Sequence, residues 1–266
     1  MANRFEARRA IVTGGSRGIG WAIAAGLVSE GAAVLIVGRT QASVADGVRR
    51  LEALGGQGRV FGEAAEIGAD PAVHQALVEA AAARMGGLDY LVNAAGGARV
   101  TSALEAPWDV WQQEMNVKFW GYLGMIRAAV PLLKASSGPR AILNVLGITG
   151  KDPNPALPMA GAANAALRAV TKGIATELAP LGIRVVNINP GATETALLET
   201  MAKGYAERCQ SSAEEMTAWL RQSPPLGRLP RPEEVAALAL FLLSQAAAPI
   251  TGTSIDIDGG SHRGLA

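Results

Sequence analysis

The stretch Thr13-Gly14-Gly15-Ser16-Arg17-Gly18-Ile19-Gly20 has the residue types and spacing of a phosphate cradle. Glycines let a backbone turn sharply and approach a ligand with no Cβ in the way. The apolar run Ala10-Ile11-Val12 leads into it, and the helical pattern Trp21-Ala22-Ile23-Ala24-Ala25-Gly26-Leu27 follows. Strand, glycine-rich turn and helix N-terminus together receive a dinucleotide pyrophosphate, because the first helical N–H groups and the helix dipole face the negative charge. Other groups able to give or take a proton are scattered. Thr149, Lys151, Asp152 and Asn154 follow a predicted strand, and Tyr205 and Cys209 lie further on. Loop polar groups of this kind are ordinarily solvated, and such a Tyr and Cys ordinarily pack. Lys118, two residues beyond Asn116, is expected to face away from it on a helix.

Composition narrows the partners. Lys+Arg number 24 and Asp+Glu 23, so no charge excess points to nucleic acid or to an anionic membrane. Cys209 is the sole cysteine, which excludes an intramolecular disulfide and a thiolate cluster. With only His74 and His262, far apart, no metal site is expected. Residues 1–9 are polar and charged, and Gly, Pro or charge interrupts every apolar run, so neither a secretory signal nor a membrane span is read. A small-molecule substrate and a cytoplasmic setting are the expectation.

The elements that must position these groups alternate. Strands are predicted at 10–12, 33–37, 59–61, 88–92, 141–145, 183–188 and 254–257. Helices are predicted at 43–54, 70–85, 107–134, 161–178 and from 232, the second started by Asp70-Pro71. Alternation over one chain, with no linker or repeat, indicates one domain over 1–266: an α/β, doubly wound parallel sheet with helices on both faces. Between 195 and 226 the alternation breaks into a partly helical segment carrying Met201, Tyr205, Cys209, Met216, Trp219 and Leu220. It reads equally as a packed helical pair or as a lid over the substrate.

Several landmarks come in order: Thr13-Gly14-x-x-x-Gly18-x-Gly20, Asn93-Ala94-Ala95-Gly96, Asn116, Asn189-Pro190-Gly191, then Pro232-Glu233-Glu234-Val235, Gly252 and Asp258-Gly259-Gly260. As a set they resemble the short-chain dehydrogenase/reductase family over nearly the whole chain. The resemblance implies a Rossmann-type fold that binds NAD(P)(H) and self-associates as a dimer or tetramer through its two long helices. It places cofactor contacts at Gly14, Ser16, Arg17, Gly18, Ile19, Gly20, Asn93, Ala94, Ala95 and Gly96. Further contacts are implied at Pro190, Gly191, Thr193 and Thr195, with Thr195 toward the nicotinamide amide. Glu66-Ile67 stands where the family has an Asp near the adenine. An acid ending the second strand would bind the ribose 2′-OH of NAD. Gly38 stands there instead, followed by Arg39, and with Arg17 this favours the 2′-phosphate of NADP(H) over NAD(H).

The catalytic stretch departs from the family pattern of a serine and a Tyr-x-x-x-Lys pair. The run Ala165-Ala166-Leu167-Arg168-Ala169-Val170-Thr171-Lys172 sets the register. It puts Asn164 at the lysine, Ala160 at the tyrosine and Gly147 at the serine, and leaves Asn116 retained. A phenol whose pKa is lowered by a neighbouring Lys⁺ protonates the alkoxide formed on hydride delivery. Loss of such an acid costs about 10²–10⁴ in rate, and loss of the serine's hydrogen bond adds to that. Asn164 retains the capacity to bond the ribose hydroxyls. Two readings follow: an NADP(H)-dependent oxidoreductase with an atypical site, acting on an activated C=C or C=N bond, or a cofactor-binding homologue without redox activity.

Overall fold

A computed structural model describes residues 3–68 and 70–264, so both ends of the expected 1–266 domain lie outside the described residues. Strands β1 (Arg9–Thr13), β2 (Ala33–Gly38), β3 (Val60–Ala64), β4 (Tyr90–Asn93), β5 (Arg140–Val145), β6 (Ile183–Pro190) and β7 (Ser254–Ile257) form one sheet. Its order is β3-β2-β1-β4-β5-β6-β7, and every pairing is parallel. Helices α1 (Gly18–Ser29), α2 (Gln41–Leu51), α3 (Pro71–Met85), α4 (Trp108–Met115), α5 (Gly121–Ala135), α6 (Pro158–Leu178) and α9 (Pro232–Leu243) cover it. Alternate residues of each strand face opposite ways. Ala10, Val12, Val34 and Ile36 therefore pack with α1 and α9, while Ile11, Leu35 and Val37 pack with α3 and α5. The crevice between the ends of β1 and β4, where the strand order reverses, is where such sheets take ligands.

Two long helices differ from expectation. The predicted 107–134 helix is α4 and α5 joined by a π-type turn over Asn116–Trp120. One extra residue in a turn leaves the apolar pattern readable as a single helix, so the sequence conceals it. Helix α6 begins at Pro158, three residues before the expected start at 161, with that proline in its first turn. Proline lacks only an N–H that goes unpaired there anyway, and its fixed φ suits the first turn.

A buried polar ladder sets α6 against the sheet. Asn93, Asn144, Asn187 and Ser254 are register partners on β4, β5, β6 and β7. Asn93 Nδ2 donates to Asn144 Oδ1 at 3.0 Å, Asn144 Nδ2 to Asn187 Oδ1 at 3.1 Å, and Asn187 Nδ2 to Ser254 Oγ at 2.9 Å. Thr171 of α6 joins it, donating to Asn187 Oδ1 at 3.0 Å. Thr171 lies two turns beyond Asn164, on the same helix face.

The 195–226 segment is α7 (Ala196–Cys209) and α8 (Ala213–Gln222), with a small core of Leu198, Ala202, Tyr205, Leu220 and Leu229. The pair is tied to the β5–α6 loop by Asn154 Nδ2 donating to the Tyr205 hydroxyl at 2.9 Å.

Candidate active site

The glycine-rich turn lies against the end of β4. A Cβ on Gly14 would come within 2.6 Å of Ala94 O, so only glycine permits the approach. Thr13 Oγ1 accepts from Ala94 N at 3.1 Å, which holds the Asn93-Ala94-Ala95-Gly96 segment beside the turn. Side chains cap α2, α3 and α8 through Thr40, Asp70 and Ser212. Helix α1, like α6, has neither a side-chain cap nor an acid in its first turn. Its leading N–H groups at Ile19 and Gly20 are thus left for an anion. Thr195, at the head of α7, lies over Gly18, its methyl 3.6 Å from where a side chain there would begin.

The second strand ends against this turn as well. A Cβ on Gly38 would stand 2.9 Å from Ser16 Oγ and from Val44 Cγ2, so an acid there has to push those two side chains aside. Arg17 and Arg39, which follow Ser16 and Gly38 in the sequence, are exposed. Sequence reasoning missed a third arginine. Arg50 donates to Ser16 O at 2.8 Å and stacks 4.5 Å from the Trp21 ring centroid. Its spacing of four from Asp46, with which it pairs at 2.9 Å, is the signal the sequence carried. Glu66 is exposed, whereas Ile67 is buried.

Two of the three divergent positions meet. A Cβ on Gly147 would stand 2.9 Å from Asn164 Nδ2. That amide donates to Thr149 Oγ1 at 3.0 Å, and Asn164 is only 3 % exposed. Asn164 Oδ1 is buried and meets no hydrogen-bond partner among the described residues. Ala160 lies one turn before Asn164 on α6 and is half-buried. Of the other groups weighed as acids, Lys151 is held at 2.7 Å by Asp256, which also accepts from Asn189 Nδ2 at 2.7 Å. Burial raises the Asp256 pKa, but the bonds from Lys151 and Asn189 outweigh it and hold the group below its usual range. Tyr205 faces the α7–α8 core, and burial raises its pKa. Cys209 is exposed at the far end of α7.

Asn116 opens the π-type turn, whose backbone packs on Gly68. Two residues on, Lys118 turns its ammonium onto the strand ends. It donates to Val145 O at 2.8 Å, to Leu146 O at 3.3 Å and to the Tyr122 hydroxyl at 3.1 Å. Tyr122 in turn donates to Ala95 O at 2.8 Å. Burial pulls the Lys118 pKa down to about 7 against the pull of Glu114, and burial raises that of Tyr122. The pair fixes the ends of β4 and β5 beside Gly147. Its i,i+4 spacing was legible in the sequence.

The family model described as enoyl-(acyl carrier protein) reductase matches residues 14–262. The chain belongs to the short-chain dehydrogenase/reductase family. It is 34% identical over 254 residues to the 4-formylbenzenesulfonate dehydrogenase of Comamonas testosteroni, covering 95% of this chain and 97% of that one. It is also 34% identical to the rhamnolipid-biosynthesis 3-oxoacyl-acyl-carrier-protein reductase of Pseudomonas aeruginosa, with 96% of each chain covered. Among solved structures it resembles L-sorbose reductase from Gluconobacter frateurii, complexed with NADPH and L-sorbose. The TM-score there is 0.91 at 31% identity, with 100% of both chains covered. A short-chain dehydrogenase from Burkholderia cenocepacia in complex with NADP gives 0.83 at 32%, covering 97% of this chain and 99% of that one.

As a short-chain dehydrogenase/reductase, the chain is an NAD(P)-dependent oxidoreductase. The uncapped α1 and the close approach at Gly14 fit a dinucleotide across the β1/β4 crevice. No helix among the described residues is long and apolar enough to cross a membrane, and no cluster among them could hold a metal ion.

Proposed function

We propose that this chain is an NADP(H)-dependent reductase whose active site works without the serine, tyrosine and lysine of its family's pattern. One observation carries the reading. The nucleotide cradle is intact, while Gly147, Ala160 and Asn164 hold no side chain able to serve as a strong acid. The turn from Gly14 through Ser16, Arg17, Gly18 and Ile19 to Gly20 takes the pyrophosphate. Asn93, Ala94, Ala95 and Gly96 line the ribose side, and Pro190, Gly191, Thr193 and Thr195 hold the nicotinamide end. Glu66 and Ile67 border the adenine. Arg17 and Arg39 take the 2′-phosphate as planar forks, and Arg50 stiffens the turn beneath them.

The cofactor, when bound, supplies a hydride. The chain orients the acceptor, excludes water on the α7–α8 side and leaves the proton to water. An acceptor that needs little protonic help suits such a site: an activated ketone, or a polarised C=C or C=N bond. The NADPH and NADP in the two solved relatives support the cofactor choice.

Calorimetric titration with both cofactors tests the reading. NADPH binds more tightly than NADH, and Arg39→Ala weakens NADPH about tenfold while leaving NADH within about twofold, one charge-assisted bond being lost. Equal affinities in the natural chain overturn the NADP(H) assignment. Binding of NADPH with no consumption across ketones, enones and imines overturns the redox reading.

A further inference from the structure

Position 147 has no side chain, yet the space a serine would fill is not left apolar. Asn164 Nδ2 stands 2.9 Å from where a Cβ on Gly147 would lie, and Thr149 Oγ1 stands 3.9 Å from it. A hydroxyl has one proton and two lone pairs, and Asn164 Nδ2 takes one lone pair at 3.0 Å. The Thr149 proton stays free to donate, from a hydroxyl whose acceptor side is fixed. Asn164 Oδ1, buried and unpartnered among the described residues, is a free acceptor beside it. A buried acceptor of this kind calls for a partner. Ala160, one turn earlier on the same helix face, is half-buried and carries only a methyl.

We infer that Thr149 takes over the missing serine's contact with the substrate oxygen, and that Asn164 positions Thr149 and accepts from the alcohol form of that substrate. The inference rests on the redox reading above and assigns its oxygen site. One donor beside one acceptor matches a secondary alcohol, which accepts from Thr149 and donates to Asn164 Oδ1. It equally matches the ketone, which uses Thr149 alone. Hydride goes to the carbonyl carbon, the C=O electron pair moves to oxygen, and water supplies the proton. Thr149 holds that oxygen and transfers nothing, because an aliphatic hydroxyl is too weak an acid to give up its proton.

The test uses trifluoroacetophenone and the alcohol formed from it, whose fluorines report binding by NMR without turnover. Thr149→Val, which keeps the shape and removes the hydroxyl, weakens alcohol binding to the NADP⁺-loaded protein at least fivefold. It lowers kcat/KM for the ketone about tenfold or more, chiefly through kcat. Thr149→Ser keeps both within about threefold, and NADPH affinity by calorimetry is unchanged in both variants. Asn164→Ala weakens the alcohol too, and adding Thr149→Val to it costs less than Thr149→Val costs the natural chain, as expected of two coupled groups. Equal losses in Thr149→Val and Thr149→Ser, additive losses with Asn164→Ala, or undiminished alcohol binding in Thr149→Val each overturn the assignment. So does failure of the natural chain to bind the alcohol. Alcohol binding lost in Thr149→Val, with no NADPH oxidised by the natural chain, sinks the redox reading and leaves the oxygen site standing.

Discussion

Gly147 is committed to glycine twice over. Its φ of +156° falls where L side chains are rare, and a Cβ there would press on the Asn164 amide. Gly147→Ser alone therefore restores no chemistry. It costs about 1–3 kcal/mol of backbone strain, and for a chain of this size each kcal/mol lowers the thermal midpoint by about 2–4 °C. Thermal melts and ketone reduction measured side by side check this. Only Gly147→Ser with Ala160→Tyr and Asn164→Lys removes the amide contact and supplies an acid, and only that combination raises ketone reduction, because the groups act as a unit. A rate gain from Gly147→Ser by itself would contradict the geometry. The letters at 147, 160 and 164 were legible from the run that follows them. That Asn164 turns toward the empty serine position was not, since side-chain direction depends on where α6 sits on the sheet. Likewise Gly38 was legible as a missing acid, but its contact with Ser16 comes from two turns meeting in space.

Elements explain why α6 sits where it does. Strand and helix order was readable from β-branched runs and helix starts, because a buried parallel sheet demands continuous apolar strands. The asparagine ladder was not readable, because Asn93, Asn144 and Asn187 are each ordinary strand polars until register aligns them. The π-type turn at Asn116 was hidden for the same reason that one helix seemed to run through it. Asn144 is the centre of the ladder, bonded to Asn93, Asn187 and Thr171. Asn144→Ala leaves buried partners unsatisfied and costs about 2–4 kcal/mol in urea denaturation, at 1–3 kcal/mol for each orphaned group. It also loosens α6 against β5, so kcat falls with stability while the exposed arginines keep their hold on NADPH. A loss under about 1 kcal/mol would show that the ladder does not set α6.

At the scale of the whole molecule, stability and chemistry are concentrated at opposite ends of the strands. At the amino ends, Asp89 is fully buried and accepts from Arg9 Nε and backbone N at 2.9 Å each, from Arg9 Nη2 at 3.1 Å and from Ser136. Burial raises its pKa, yet the Arg9 and Ser136 bonds and the Arg9 charge prevail and hold it below the usual carboxylate value. A depressed folded pKa gives stability that is full above the unfolded value near 3.9. That stability is lost as pH falls through the folded value. Asp89→Asn costs about 3–5 kcal/mol at pH 7 and flattens the acid limb of stability below about pH 4, which urea midpoints against pH reveal. The outer faces make a separate demand. Trp108 is 87 % exposed, Leu104 96 % and Trp120 56 %, all before or along α4 and the turn into α5. A lone chain leaves these three large apolar side chains in water. With the family resemblance pairing the two long helices, the chain is expected to self-associate across this region as a two-fold dimer or a tetramer. Light scattering gives at least twice the 27.3 kDa of one chain. Trp120→Glu, which puts a charge into the contact, shifts that mass toward one chain at micromolar concentration and lowers the thermal midpoint only by the stabilisation that assembly supplies, since the side chain is already exposed in the single chain. A mass of one chain for the natural protein would mean that this surface stays in solvent and that the two long helices do not pair.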